Sequence, residues 1–199
     1  VPDLVAAVNT VQLGWSRYRE SAEAILIRCH IAIGDTAAAA QIALANEYDS
    51  ASDMFRSIQY IGKSDYWTRV GRPSRGLEYA YRARDLVPAG TEPFGYGWRA
   101  SAGDALFALG DKVGAHRLAV EEVALAESSG RYVAALGPAL FRLARSLDSA
   151  SEAIEVSHRA LAVIGPLRRF AQLHVRQLLA DLLAARGDVD EAVEMLELS

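Results

Sequence analysis

Gly187-Asp188-Val189-Asp190-Glu191-Ala192 lies between two stretches whose apolar residues recur at helical spacing, and its pattern returns along the whole chain. The equivalent turn positions are Gly34, Gly71, Gly110, Asp148 and Gly187, separated by 37, 39, 38 and 39 residues. A period in this range is that of stacked helical hairpins, each burying its apolar faces against the next. Five residues after each turn stands Ala39, Gly76, Ala115, Ala153 or Ala192. Small side chains there let the second helix of a hairpin cross close to the first, where a larger one would hold the pair apart.

Working outward from that turn, the register divides the chain into hairpins over about 16–48, 52–86, 96–128, 132–164 and 167–198, with 3–13 as the last helix of a preceding, truncated repeat. The fifth is the clearest: Phe170, Leu173, Leu178, Leu179, Leu182 and Leu183 follow helical spacing, Gly187 supplies the stop, and Asp188 or Asp190 caps the next helix. In the fourth, Asp148 and Ser149 replace the turn glycine. The second carries Gly62-Lys63-Ser64 in its first helix, and glycine there weakens a helix by about 1 kcal/mol. A break or kink near Gly62 is expected. No run of alternating Val, Ile and Thr signals a strand, whereas Ala, Leu, Arg and Glu dominate. The expected fold is all-α, a right-handed superhelix of about five tetratricopeptide-like hairpins forming a single repeat domain over 1–199.

Composition narrows the function. Half of the 199 residues are apolar, and 21 basic against 25 acidic residues give a net charge of −4, spread without the strongly basic face that neutralises phosphates. Direct nucleic-acid binding is disfavoured. The single Cys29 cannot form an internal disulfide and sits in an apolar stretch as a small hydrophobe, which fits a reducing cytoplasm. No apolar run is long enough to span a bilayer. The chain opens Val1-Pro2-Asp3 and stops at Ser199 within a helix-forming pattern, as expected of a piece of a longer protein.

RGDVDEAVEML, Arg186 to Leu196, resembles the turn and second helix of a tetratricopeptide repeat, and GLEYAYRARDLVP, Gly76 to Pro88, resembles the second helix and terminal proline of that motif. The first-helix aromatic and glycine of the consensus are mostly absent. A longer resemblance runs from ALFALGDKVGAHRLAVEEVALAESSGRYVAALGPALFRLARSL, Ala105 to Leu147, through SEAIEVSHRALAVIGPLRRFAQLHVRQLLADLLAARGDVDEAVEML. These segments are similar to the helical-repeat region of large ATP-binding LuxR-type, MalT-like bacterial transcriptional regulators. The resemblance implies an ATPase before the segment, a helix-turn-helix DNA-binding domain after it, and a sensor or scaffold role between them. It covers about half of the chain.

No chemistry is written locally. Gly62-Lys63-Ser64 resembles the end of a phosphate-binding loop, but Ser57 stands where the first glycine is required. Gly95-Tyr96-Gly97-Trp98-Arg99-Ala100 resembles a dinucleotide fingerprint, but it comes after a Pro/Gly loop and reads as a helix entry. His30, His116, His158 and His174 never fall three or four residues apart, so no local metal site is encoded. No catalytic, cofactor-binding or metal residue is assigned, no cofactor is expected in this segment, and a non-enzymatic role is expected.

The register supplies a different candidate, because in hairpin stacks the first helices line one surface. Six residues before each turn stand Arg28, Asp65, Asp104, Arg142 and Asp181, all charged; three residues before come Ile31, Thr68, Phe107, Arg145 and Ala184. Arg28, Asp65, Asp104, Phe107, Arg142, Arg145 and Gln177 are the candidate residues of a groove for a protein or small-molecule inducer. The bland alternative is an ion-pair ladder, with Arg28 against Asp65 and Arg142 against Asp104 or Asp181. Ten of the sixteen aromatic residues fall between Tyr48 and Trp98, alongside Arg69, Arg72, Arg75, Arg82 and Arg84, as hairpin packing with a solvated charge run or as a surface for an acidic partner. Two functions are compatible with this pattern: the sensor or protein-interaction segment of a LuxR-type regulator, or a free-standing adaptor holding a peptide tail in the same groove. Apolar ends near Leu4 and Leu196–Leu198 also allow a homodimer.

Overall fold

The computed structural model describes residues 19–45, 52–88, 97–129, 133–164 and 169–197. Ten helices and no strand occupy these residues: α1 (Arg19–Ala32), α2 (Thr36–Ala43), α3 (Asp53–Arg69), α4 (Pro73–Leu86), α5 (Trp98–Ala108), α6 (Lys112–Ser129), α7 (Val133–Ser146), α8 (Ala150–Ile164), α9 (Arg169–Arg186) and α10 (Val189–Glu197). The helix expected over 3–13 lies outside the described residues.

The turns hold the register. Gly34, Gly71, Gly110 and Gly187 have φ of +79°, +79°, +84° and +98°, the left-handed region that an L side chain rarely adopts. Each closes its helix in the same way: the glycine N–H donates three residues back, and the next N–H donates five back, as Asp35 to His30 and Asp188 to Leu183 do. This double bond pattern satisfies carbonyls that a helix end would leave open. Asp148 needs no such conformation. There the chain passes from α7 to α8 without positive φ, and Ser149 receives the Glu152 N–H on its hydroxyl at 3.4 Å and the Ala153 N–H on its carbonyl at 2.9 Å.

The chain divides into two compact units, Val1–Asp111 and Lys112–Ser199. In the first, α1 packs on α2 and α3 on α4 as hairpins; α1, α3 and α5 also pack side by side, while α2 touches α3 and α4 touches α5. In the second, α7 packs on α8 and α9 on α10, α7 meets α9, and α6 and α8 each pack on the following first helix. That neighbour pattern, first helix to first helix and second helix to the next first, is the one the repeat register requires. Ile27, Ala39, Ala43, Tyr66 and Trp67 form one buried cluster; Leu140, Ile154, Val175, Leu179 and Leu183 belong to the other.

Close approach is built in at small residues. Ala39, Gly76, Ala115, Ala153 and Ala192 are all buried, as the register demands. A Cβ at Gly76 would overlap the Thr68 hydroxyl and come within 2.9 Å of the Ser64 carbonyl on α3. Two expectations are corrected. α3 runs unbroken through Gly62, because that glycine lets α1 approach: a Cβ would sit 3.0 Å from the Ala24 Cα. The packing gained across helices outweighs the local propensity cost. α2 stops at Ala43, short of the expected 48; the Ala45 N–H bonds Ile42 at 3.2 Å, three residues back, which tightens the chain out of the helix.

Two substitutions separate packing from propensity. Gly76→Ala, which helix propensity alone would favour by about 1 kcal/mol, is expected to destabilise by about 1–3 kcal/mol in urea unfolding because α4 must move away from α3. Ser64 is fully buried with no hydrogen bond to its hydroxyl among the described residues, so Ser64→Ala is expected to be neutral or stabilising in the same assay.

Candidate functional site

The first-helix positions in the first unit form a connected polar tie. Arg28 on α1 donates its Nε–H to Asp65 Oδ2 on α3, and Ser101 on α5 donates its hydroxyl to the other oxygen, Asp65 Oδ1, at 2.6 Å. One carboxylate thus joins three successive first helices. The Arg28 and Asp65 side chains are 25% and 18% exposed and Ser101 is buried, so the tie is more shielded than a surface pair. Such shielding strengthens the attraction and raises the cost of removing one member. Asp104 and Phe107, on α5, are half-buried.

Sequence reasoning placed Arg28 beside Asp65 but missed Ser101. A lone serine nine residues before Gly110 carries no charge to mark it in the register.

In the second unit, Arg142 on α7 faces Glu122 on α6 with Nη1 to Oε2 at 3.5 Å. The Glu122 residue is buried, and Arg142 thereby neutralises a carboxylate from a second helix. Arg145 lies over the Phe141 ring at 5.5 Å, and that ring meets His174 of α9 at 6.3 Å. Gln177 is exposed and donates its amide to Asp181 on the same helix at 3.1 Å. The seven candidates therefore fall into two sets: Arg28, Asp65, Asp104 and Phe107 in one unit, and Arg142, Arg145 and Gln177 in the other. Arg28 and Asp65 touch, Arg142 forms an ion pair with Glu122, and Gln177 bonds Asp181.

Gly62-Lys63-Ser64 forms no loop. It is buried inside α3, where Lys63 Nζ reaches the Ala45 carbonyl at 3.4 Å and stands 5.8 Å from the Tyr79 ring. Gly97 is the residue before α5, as the helix-entry reading has it. Among the described residues no group of three His, Cys, Asp or Glu side chains could hold a metal ion, and no helix is long and apolar enough to cross a membrane.

The aromatic-rich stretch is mostly a set of internal contacts. Arg75 stacks on Trp67 at 4.0 Å, Arg84 on Tyr81 at 4.7 Å and Arg99 on Trp98 at 4.7 Å, with Arg72 and Arg82 farther out over Trp67 and Tyr79. Tyr66 meets Trp67 edge-on at 5.1 Å, and Tyr60 meets Tyr79 at 5.8 Å. The rings thus hold guanidinium groups at the surface through cation–π attraction. Tyr48, Phe94 and Tyr96 lie outside the described residues.

Comparison with solved structures decides the fold. The chain resembles the crystal structure of nearly identical TPR-like repeats from a Podosopora anserina kinesin light chain-like protein, with TM-score 0.59 and 18% identity over 92% of this chain and 93% of that one. The fold is that of TPR-like helical repeats. A point variant of the same Podosopora repeats superposes with TM-score 0.61 at 17% identity, over 91% and 92% of the two chains. No family model and no curated protein sequence matches the chain. At these identities the likeness concerns the TPR-like backbone.

The tie at Asp65 gives a stability test. Asp65→Ala leaves the half-buried Arg28 and the buried Ser101 hydroxyl without that acceptor and is expected to cost about 2–3 kcal/mol in denaturant unfolding. Gln177→Ala, at an exposed position, is expected to stay within about 0.5 kcal/mol.

Proposed function

We propose that this chain is the sensor or protein-interaction segment of a larger bacterial LuxR-type transcriptional regulator, receiving an inducer or partner on the faces of its first helices. The TPR-like hairpins support an interaction role. The regulator context rests on the similarity of Ala105 to Leu196 to the helical region of MalT-like regulators. In that reading the ATPase and DNA-binding domains lie elsewhere in the full protein, and the segment contributes no cofactor and no catalytic group.

The observation that carries the mechanism is the tie across α1, α3 and α5. Asp65 holds three first helices through two oxygens, so a charged ligand that takes over Arg28 or Asp65 exchanges an internal bond for an external one. Helix spacing in that unit then becomes a readout of occupancy. A ligand shifts such an equilibrium only by its differential affinity for the two packings. In the second unit, Gln177 supplies an exposed hydrogen-bonding position on α9, and reversing Arg142 would confront the buried Glu122 with a second carboxylate. Gln177 is therefore the cleaner position for mutation.

The alternative is a free-standing TPR-type adaptor that holds a peptide or protein tail on the same faces, favoured by the backbone likeness to TPR-like repeats. Translation of the gene beyond Ser199 distinguishes the two. A helix-turn-helix within the following one or two hundred residues is expected of the regulator, and an early stop codon would overturn it. In the regulator, Gln177→Ala is expected to weaken the inducer response in a reporter assay about tenfold or more, roughly 1.4 kcal/mol, with the folded fraction unchanged. An unaltered response would remove Gln177 from the binding face of its unit.

A further inference from the structure

Two surfaces of the chain carry charge that nothing among the described residues neutralises, and they are of opposite sign. The first is the corner between α3 and α4. Arg69, Arg72 and Arg75 surround the Gly71 turn, all exposed and none with a carboxylate partner among the described residues. Arg72 and Arg75 lie over the buried Trp67 ring, at 5.7 and 4.0 Å, and both residues remain exposed. Val70 and Pro73, half-buried, supply apolar surface between them. The adjoining α4 start has no acidic residue in its first turn and no side-chain cap, so its helix end adds to the positive potential.

The second surface is α10. Ala192 is buried and Met195 packs beside it against α9 and its neighbours, which turns the opposite side of the helix outward. Val189, Val193 and Leu196, at spacing i, i+4, i+7, run along the flank of the helix next to Ala192 and are still 59%, 48% and 47% exposed. Asp190, Glu194 and Glu197 repeat the same spacing alongside, exposed and with no cationic partner among the described residues. No Lys or Arg occurs after Arg186. Glu191 is different, since it faces His158 at 3.8 Å.

We propose that the α3–α4 corner of one molecule docks the outer face of α10 of a second copy, Arg69, Arg72 and Arg75 meeting Asp190, Glu194 and Glu197 around the Val189, Val193 and Leu196 stripe. The occupant is set by complementarity: three guanidiniums without carboxylates match three carboxylates without cations, and each surface has an apolar element for the other to cover. The two surfaces differ, so the contact is head-to-tail and propagates into a ring or an open chain. Exposed ion pairs each contribute little and are screened by salt, so the association is weak and ionic-strength dependent.

Sedimentation velocity on the full chain tests this. At about 50 mM salt the mean mass is expected to rise with protein concentration, and at about 500 mM it is expected to return to that of the monomer. Arg72→Glu with Arg75→Glu, and separately Glu194→Arg with Glu197→Arg, should each weaken self-association at least fivefold. A mixture of the two double variants should restore association as mixed species, because their charges are complementary again. Monomer at every concentration in low salt, self-association that neither double variant changes, or a mixture no stronger than its parts would overturn the proposal. If the α4 variant misfolds by circular dichroism, the α10 variant alone decides: its undiminished association refutes the contact, and its loss supports it. Binding of an unrelated acidic peptide such as hexaglutamate to the α4 corner, without self-association of the chain, would likewise refute the second copy as its occupant.

Discussion

The contact on which this fold depends is the approach of helix backbones at positions where a side chain has been reduced to a hydrogen or a methyl. Gly62 against Ala24, Gly76 against Ser64 and Thr68, and Gly137 against Ile164 bring successive helices together more closely than larger residues allow. The larger side chains then interlock around these points. Leu140, Val175, Leu179 and Leu183 are fully buried in the second unit, each removing enough apolar surface from water to stabilise by about 1.5–3 kcal/mol before entropic costs. The charged first-helix rows sit where they do because this approach sets their spacing.

That dependence explains which features can be read from sequence. The turn glycines, the small residue five positions later and the apolar periodicity are local signals, and they locate nearly every described helix end within two residues. Gly62 shows the limit. Its propensity cost is local, but its reason is Ala24, which lies on a different helix and is connected to it only through packing. The candidate site divides in the same way. Arg28 and Asp65 stand one period apart and their pairing is legible from the register, whereas Ser101 and Glu122 enter through packing and carry no repeating mark.

The arginines of α4 show how aromatic content changes the meaning of a charge run. Along the chain, Arg72, Arg75, Arg82 and Arg84 suggest a solvated stripe. In three dimensions each guanidinium lies near a ring of Trp67, Tyr79, Tyr81 or Trp98. The rings limit the rotamers these long side chains can sample, so less entropy is lost when an anion arrives. Arg82 and Arg84 also have Glu78 and Asp85 at 2.6 and 2.8 Å, which separates the already neutralised end of the helix from its Arg69–Arg75 end.

The turn at Asp148 differs from its four counterparts in a way that bears on how this architecture can change length. Where a glycine with positive φ closes the helix, both the residue type and the number of connecting residues are fixed by the paired hydrogen bonds. At Asp148, whose side chain is 94% exposed, the backbone stays in conformations open to any L-residue, and the next helix starts from its own cap at Ser149. The α7–α8 connection is thus a seam among the described residues of the second unit, where a loop, a label or an inserted module can enter while both helices keep their register.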